Sequence, residues 1–264
     1  MHAPSTANIL NMWEKGLRQS SASRALTLLE AFYSEEESGS LAKLSIGERD
    51  ARLLQLRQVL FGPRMTSTTR CPRCSERLEW ESDVADLLVL RVDPPAGSSN
   101  RLQGNEDPSA PKGGGDIRDL TVKSYRIKFR LPNSGDLSSL SGKRDAALMR
   151  EQLLERCLIE ASTEDGEPLQ FEQLPEAVLQ GMIQEMERAD PQSNLQIGLT
   201  CPACGHCWEA AFDIVSFLWS EIHGWAQRML RTVHVLARSY GWQEADILAM
   251  SPTRRQIYLE MARQ

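Results

Sequence analysis

The sequence predicts an α+β fold, mainly helical, with a few short antiparallel strands and a split unit built on four cysteines. Three observations predict it. Apolar residues recur at helical spacing through much of the 264-residue chain, period-two alternation is confined to short runs, and Cys-Pro-x-Cys occurs twice, in CPRCSERLEW and CPACGHCWEAAF.

The elements follow in order. Residues 8–33 carry Ile9, Leu10, Met12, Trp13 and Leu17, then Leu26, Leu28, Leu29 and Phe32, with serines at 20, 21 and 23 placed to divide the helix. A polar stretch, 34–39, comes next. Ser45 and Glu48 have capping-box spacing and open a helix through Leu53, Leu54, Leu56, Val59 and Leu60, which Gly62-Pro63 ends. Beyond the first cysteine pair, LLVLRV at 87–92 reads as a strand. Residues 94–116 hold nine Pro or Gly in 23 positions, too many for a core, so they read as a disordered loop. The loop interrupts a domain, because the cysteines on either side of it must meet.

LTVKSYRIKFRLP then alternates as one strand into Pro132. A helix over about 143–160, with Leu153, Leu154, Cys157 and Leu158, precedes another that starts at Pro175, taken as its first helical residue. Alternation returns as Leu195, Ile197 and Leu199 before the second cysteine pair, and as Trp208, Ala210 and Phe212 after it. The last third is helical, with a broad apolar stripe through Leu218, Trp219, Ile222, Ala226, Met229, Leu230, Val233 and Ala237. Gly241 breaks this helix, 242–250 gives a short one, and Ser251-Pro252 caps a final one. The divisions expected are an N-terminal helical region (1–40), a helix with the first knuckle (41–93), the loop (94–116), strand and helices (117–190), and the second knuckle with a C-terminal helical unit (191–264). Residues 41–264 are expected to close into one domain through the cysteines. There is no internal repeat beyond the duplicated Cys-Pro-x-Cys element.

Each Cys-x-x-Cys places two thiolates from one tight turn within reach of the same tetrahedral ion, and each is preceded by strand-like residues and followed by an aromatic, Trp80 or Trp208. Neither opens a helix as a redox pair does. Cys71, Cys74, Cys201 and Cys204 are therefore expected to hold one structural Zn2+ as a split zinc ribbon, although 126 residues lie between Cys74 and Cys201. Lengthening such a loop costs only logarithmically. Four thiolates leave no open coordination position for a catalytic water. His206 and Cys207 are possible substitute ligands, and Cys157 reads as a core thiol.

Other chemistry is sparse. The chain has no Walker loop, GxGxxG, HExxH or GxSxG pattern. His223 and His234 lie too far apart on one helix to share a metal, and both read as packing or interface residues. The expectation is a protein that is not an enzyme. No apolar run approaches the roughly 18 residues of a membrane span, and the N-terminus lacks a secretory pattern, which predicts a cytoplasmic protein with reduced thiols. A net charge of −6 argues against nonspecific nucleic-acid binding. Arg126, Lys128 and Arg130 on one strand face, and Arg254-Arg255 near the end, read as solvated charge under that acidic total.

The tail IVSFLWSEIHGWAQRMLRTVHVLARSYGWQEADILAMSPTRRQIYLEM resembles baseplate proteins of contractile phage tails and of the related extracellular contractile injection systems. LSIGERDARLLQLRQVLFG with the knuckle after it is similar to the T-even-phage baseplate hub and hub-assembly family, as is FRLPNSGDL. The resemblance covers about residues 40–92 and 120–264. It implies a non-enzymatic structural or assembly protein whose partners are other baseplate, hub or tail proteins, and it supplies no catalytic residues. Trp225, Arg254, Arg255 and Tyr258 are of the types that anchor interfaces and are the candidate partner-binding residues. The alternative from the residues is a zinc-ribbon protein that binds nucleic acid or regulates.

Overall fold

A computed structural model describes residues 5–33, 39–89, 117–140 and 145–262. The chain enters through α1 (Thr6–Gly16) and α2 (Ser21–Phe32). The division at the serines is local chemistry: Ser5 and Ser20 cap the two helices by accepting from the Asn8 and Ser23 amides. Arg24 of α2 reaches back to donate to the Gly16 carbonyl at 2.9 Å, satisfying an orphan acceptor at the end of α1.

Residues Glu37–Phe212 form one compact unit. In it α3 (Ile46–Phe61) leads to the hairpin β1 (Arg64–Arg70) and β2 (Arg77–Asp83), then to a single turn, α4 (Val84–Leu87). The strand expected at 87–92 is replaced at its start by that turn. Asp83 and Asp86 form a reciprocal capping box there, a side-chain signal that outweighs the apolar run. Residues 90–92 of that strand and the loop 94–116 lie outside the described residues. The single strand expected across LTVKSYRIKFRLP is two, β3 (Ile117–Val122) and β4 (Tyr125–Arg130), paired antiparallel from Val122↔Tyr125. Lys123, at φ +52°, makes the reversal without the Gly or Asn that would have announced it.

The chain continues through α5 (Ser134–Leu140) and α6 (Ala146–Cys157). The helix expected to 160 stops at Cys157, and β5 (Leu158–Thr163) joins β4 as the third strand. Helix α7 (Glu176–Ala189) is capped by Pro175, one position outside the place expected for it. Ile127 and Phe129 of β4, Leu154 and Cys157 of α6, and Val178 and Met182 of α7 form this sheet's core. Burial pushes the Cys157 thiol up to about 12, so it is an inert packing group. Two more strands, β6 (Gln196–Thr200) and β7 (Cys207–Ala211), make a second hairpin.

Long-range polar contacts fix the start of α3. Ser45 caps it locally by accepting from Glu48, the Ile46 amide donates to the Pro132 carbonyl, and the Gly47 amide donates to the buried Asp190 carboxylate at 2.8 Å. The segment after β4 is tied as tightly. Asn133 and Asp136 cap each other's amides at the entry to α5, and Arg130 grips Asp136 through both nitrogens at 2.6 and 2.8 Å. Arg156 adds a third charged contact at 3.3 Å. Burial alone would push the Asp136 carboxyl up. Arg130, the Asn133 amide and Arg156 bring it below the usual carboxylate range instead. Arg130 is thus part of an ion-pair network and not a member of a solvated strand face.

The second compact unit joins Met1–Glu36 with Asp213–Gln264. Sequence reading set 1–40 apart and grouped 41–264; in the structure the first two helices share a core with the last three. These are α8 (Ile214–Tyr240), α9 (Glu244–Ala249) and α10 (Pro252–Met261). Asp213 caps α8 and Gly241, left-handed at φ +69°, ends it. The apolar stripe of α8 meets α1 at Gly16, where a Cβ would stand 2.2 Å from the Trp219 ring. The Trp13 indole donates to His223 Nδ1 at 3.0 Å, placing that histidine in packing, whereas His234 is exposed.

Gly47 generates a prediction. An added Cβ would lie 1.9 Å from an Asp190 oxygen inside a buried contact, whereas one at Gly198 meets nothing within 4 Å. Gly47→Ala should lose about 1–3 kcal/mol in urea unfolding by overpacking and displacement of the cap. Gly198→Ala should change stability little.

Candidate metal centre

The two Cys-Pro-x-Cys elements are the tips of the hairpins β1–β2 and β6–β7, and they are built alike. In the first, the Cys71 amide donates to the Glu76 carbonyl and the Ser75 amide to the Cys71 carbonyl, each at 2.9 Å. In the second, Cys201 donates to His206 and Gly205 to Cys201, again at 2.9 Å. Ser75 (φ +63°) and Gly205 (φ +68°) occupy the same left-handed position. The strand registers match as well, Arg70↔Arg77 in one hairpin and Thr200↔Cys207 in the other. The left-handed residue turns the chain so that both thiols of each pair point to one side.

The pairs face each other. The Sγ atoms of Cys71, Cys74, Cys201 and Cys204 all lie within 4.8 Å of one another, with Cys71–Cys204 at 3.7 Å and Cys74–Cys201 at 3.6 Å. A tetrahedron with 2.3 Å metal–sulfur arms has edges of about 3.8 Å. These separations are far longer than the roughly 2.05 Å of a disulfide, and all four cysteines are free. The donor set therefore fits a metal ion that prefers thiolates in tetrahedral array. Cys71 and Cys201 are buried with Leu78, and Trp208 packs against the group.

His206 and Cys207 stand outside the cluster. The His206 ring stacks on Trp208 with centroids 5.9 Å apart, and Cys207 is exposed, its Sγ 3.4 Å from Thr200 Oγ1. The two aromatics that follow the pairs are not equivalent: the hairpin registers place Leu78 at the position of Trp208, and Trp80 two residues farther along.

The candidate partner residues lie in the helical unit. Trp225 is half-buried on α8 and Arg254 is exposed, its guanidinium carbon 5.7 Å from the centre of the Tyr258 ring. Tyr258 joins Tyr240 and Trp242 in an aromatic group with centroids 4.5 to 5.7 Å apart. Arg255 turns inward. It is buried and donates to the Leu248 carbonyl at 3.1 Å and to Thr6 Oγ1 at 3.4 Å. A guanidinium on the last carbonyls of α9 complements the negative end of that helix, and its burial makes Arg255 a packing cation and not a solvated one.

Protons compete with a metal for these thiols. Burial pushes the Cys71 thiol up, but the amides of Cys74 and Arg73 outweigh it and hold the thiol at about 7. The Glu76 amide pulls Cys74 down, yet burial and the thiols of Cys204, Cys201 and Cys71 raise it to about 12. A metal must therefore expel protons at neutral pH, and more of them below about 7, where Cys71 is also protonated. Affinity should fall as pH is lowered from 8 to 6, measured by competition with a chelating dye. Binding should acidify a weakly buffered solution. Affinity independent of pH would remove the thiolates as ligands.

Comparison with known proteins gives one family. Residues 18–219 match the model of the T4 bacteriophage base plate protein family. The matched span takes in both knuckles and the segments LSIGERDARLLQLRQVLFG and FRLPNSGDL, and stops before most of α8 and all of α9 and α10. No curated protein and no solved structure matches the chain. The match covers well over half of the residues, and the chain belongs to the T4 bacteriophage base plate protein family.

Proposed function

We propose that the chain is a non-enzymatic structural or assembly protein of the baseplate hub of a contractile phage tail or a phage-tail-like injection system, held in shape by one structural Zn2+. The observation that carries this reading is the family match over a span that contains all four clustered cysteines. The ion would be bound by Cys71, Cys74, Cys201 and Cys204. Zn2+ suits a tetrahedral set of four sulfurs and has no redox chemistry of its own. With every position filled by protein, the ion supplies stability and has no site for substrate.

The protein would work in the cytoplasm while particles assemble, either staying in the tail or leaving as a chaperone. No described helix is long and apolar enough to cross a membrane. Its partners would be other baseplate or tail proteins. The docking residues favoured are Trp225, Arg254 and Tyr258, because Arg254 and the aromatic group behind it stand at the surface of α10. Arg255 would support that surface from within.

Purified protein should hold one zinc per chain by elemental analysis. Cys71→Ser and Cys201→Ser should be equally damaging to folding, since each opens the same clamp. No zinc, or two ions per chain, would end the split-ribbon reading. In producing cells, Trp225→Ala and Arg254→Ala should fold, keep zinc and lower the number of assembled particles counted by electron microscopy. Normal particle numbers from both variants would clear this surface of a docking role. Normal particle numbers from cells lacking the protein would refute the assembly role itself.

A further inference from the structure

The two knuckles share a backbone but not a surface. At the tip of the first, Arg70 and Arg77 are direct cross-strand partners, and Arg73 sits in the turn between them; all three are exposed. The equivalent positions of the second knuckle are Thr200, Ala203 and Cys207, none of them charged. The second knuckle holds the same turn, the same hydrogen bonds and two of the same four thiolates without a single arginine. The turn therefore does not require them.

Like charges placed directly opposite on a strand pair repel. Among the described residues none of the three arginines forms an ion pair; Arg70 alone makes a bond, to the Ser75 carbonyl at 3.2 Å. Farther from the tip, the exposed face of β2 turns acidic, with Glu79 and Glu81 in line with Arg77. Glu76, exposed beside Arg77, is the one carboxylate in the turn, so the tip carries three guanidiniums against one carboxylate on a protein whose net charge is −6.

We propose that this tip is a docking point for a carboxylate-rich segment of a partner protein. Three guanidiniums offer planar, paired donors to carboxylates, and a partner of opposite sign relieves the repulsion between them. The acidic stem favours a compact acidic segment over a nucleic acid, whose phosphates would run on along Glu79 and Glu81. The proposal rests on the hairpin geometry and stands or falls separately from the baseplate assignment.

The test gives the first knuckle the surface of the second: Arg70→Thr/Arg73→Ala/Arg77→Ser. Fluorescence anisotropy at low salt would follow a labelled oligoglutamate peptide and, in parallel, a labelled single-stranded oligonucleotide. Native protein should bind the peptide, and the triple variant should bind it at least about tenfold more weakly with metal content unchanged. Removing the stem charges with Glu79→Gln/Glu81→Gln should tighten peptide binding. If the triple variant does not fold, Arg73→Ala alone should weaken binding about threefold. Four results would overturn the proposal: no peptide binding by native protein, equal binding by the variant, preference for the oligonucleotide, or loss of metal from a folded variant. The last would assign the arginines to the negative charge of the thiolates.

Discussion

Four sulfur atoms must arrive at one point from two segments that are far apart in the chain, and the larger unit is organised by that demand. Closing a loop of this length costs on the order of 4 kcal/mol by the logarithmic law, plus a constant. A structural zinc in small finger peptides contributes roughly 10–16 kcal/mol. An ion at this site would therefore offset the closure with a wide margin. The paired backbone bonds at Cys71 and Cys201, and the left-handed residues Ser75 and Gly205, lie within each hairpin, so the thiols of each pair are aimed by local structure.

The cysteines do not hold the loop closed alone. Asp190 caps α3 through Gly47, Pro132 receives the Ile46 amide, and Gln192 both donates to the Leu87 carbonyl and accepts from the Val89 amide. The last contacts fasten the chain just before residue 90 to the stretch that leads into the second knuckle. The segments LSIGERD and FRLPNSGDL take on a physical meaning in this setting. Ser45, Gly47, Arg130, Asn133 and Asp136 are caps and ion-pair partners, residues whose geometry tolerates few substitutes. A motif of this kind marks a scaffold more than a chemistry.

The features legible in the sequence were those with local signatures. The helix boundaries at Ser20, Gly62, Gly241 and Ser251, the helix over the last third and the meeting of the cysteines all followed from residue type and spacing. The misread features depended on competition with distant parts of the chain. Lys123 makes a turn that its residue type does not favour, because β4 gains a partner strand on each side by it. Residues 158–160 continue a helical pattern, yet they complete a sheet. Arg255 looked like surface charge because nothing nearby reveals that its acceptors are the carbonyls of Ile247 and Leu248 and a hydroxyl at Thr6. Periodicity shows which residues face inward only when the partner is apolar; a buried cation leaves no such trace.

The family match follows the division into compact units unevenly. It covers the unit that carries the cysteine cluster, Glu37–Phe212, and enters the helical unit only through α2 and the beginning of α8. The cysteine scaffold thus falls within what this chain shares with its family. The aromatic group of Tyr240, Trp242 and Tyr258, with Arg254 over it, falls outside the matched span. These last residues have little role in closing the thiolate site, whose packing partners are Leu78 and Trp208. Selection for a stable metal unit would leave them free to vary. A component that must join a large assembly needs both a shape that does not vary and a face that chooses its neighbour. The physical demands differ: the first needs buried, geometrically exact contacts, and the second needs exposed aromatic and guanidinium groups whose strength comes from the partner. On the proposed reading the two demands would fall on different residues, the clustered cysteines with Leu78 and Trp208 for the first and Arg254 with the aromatic group for the second.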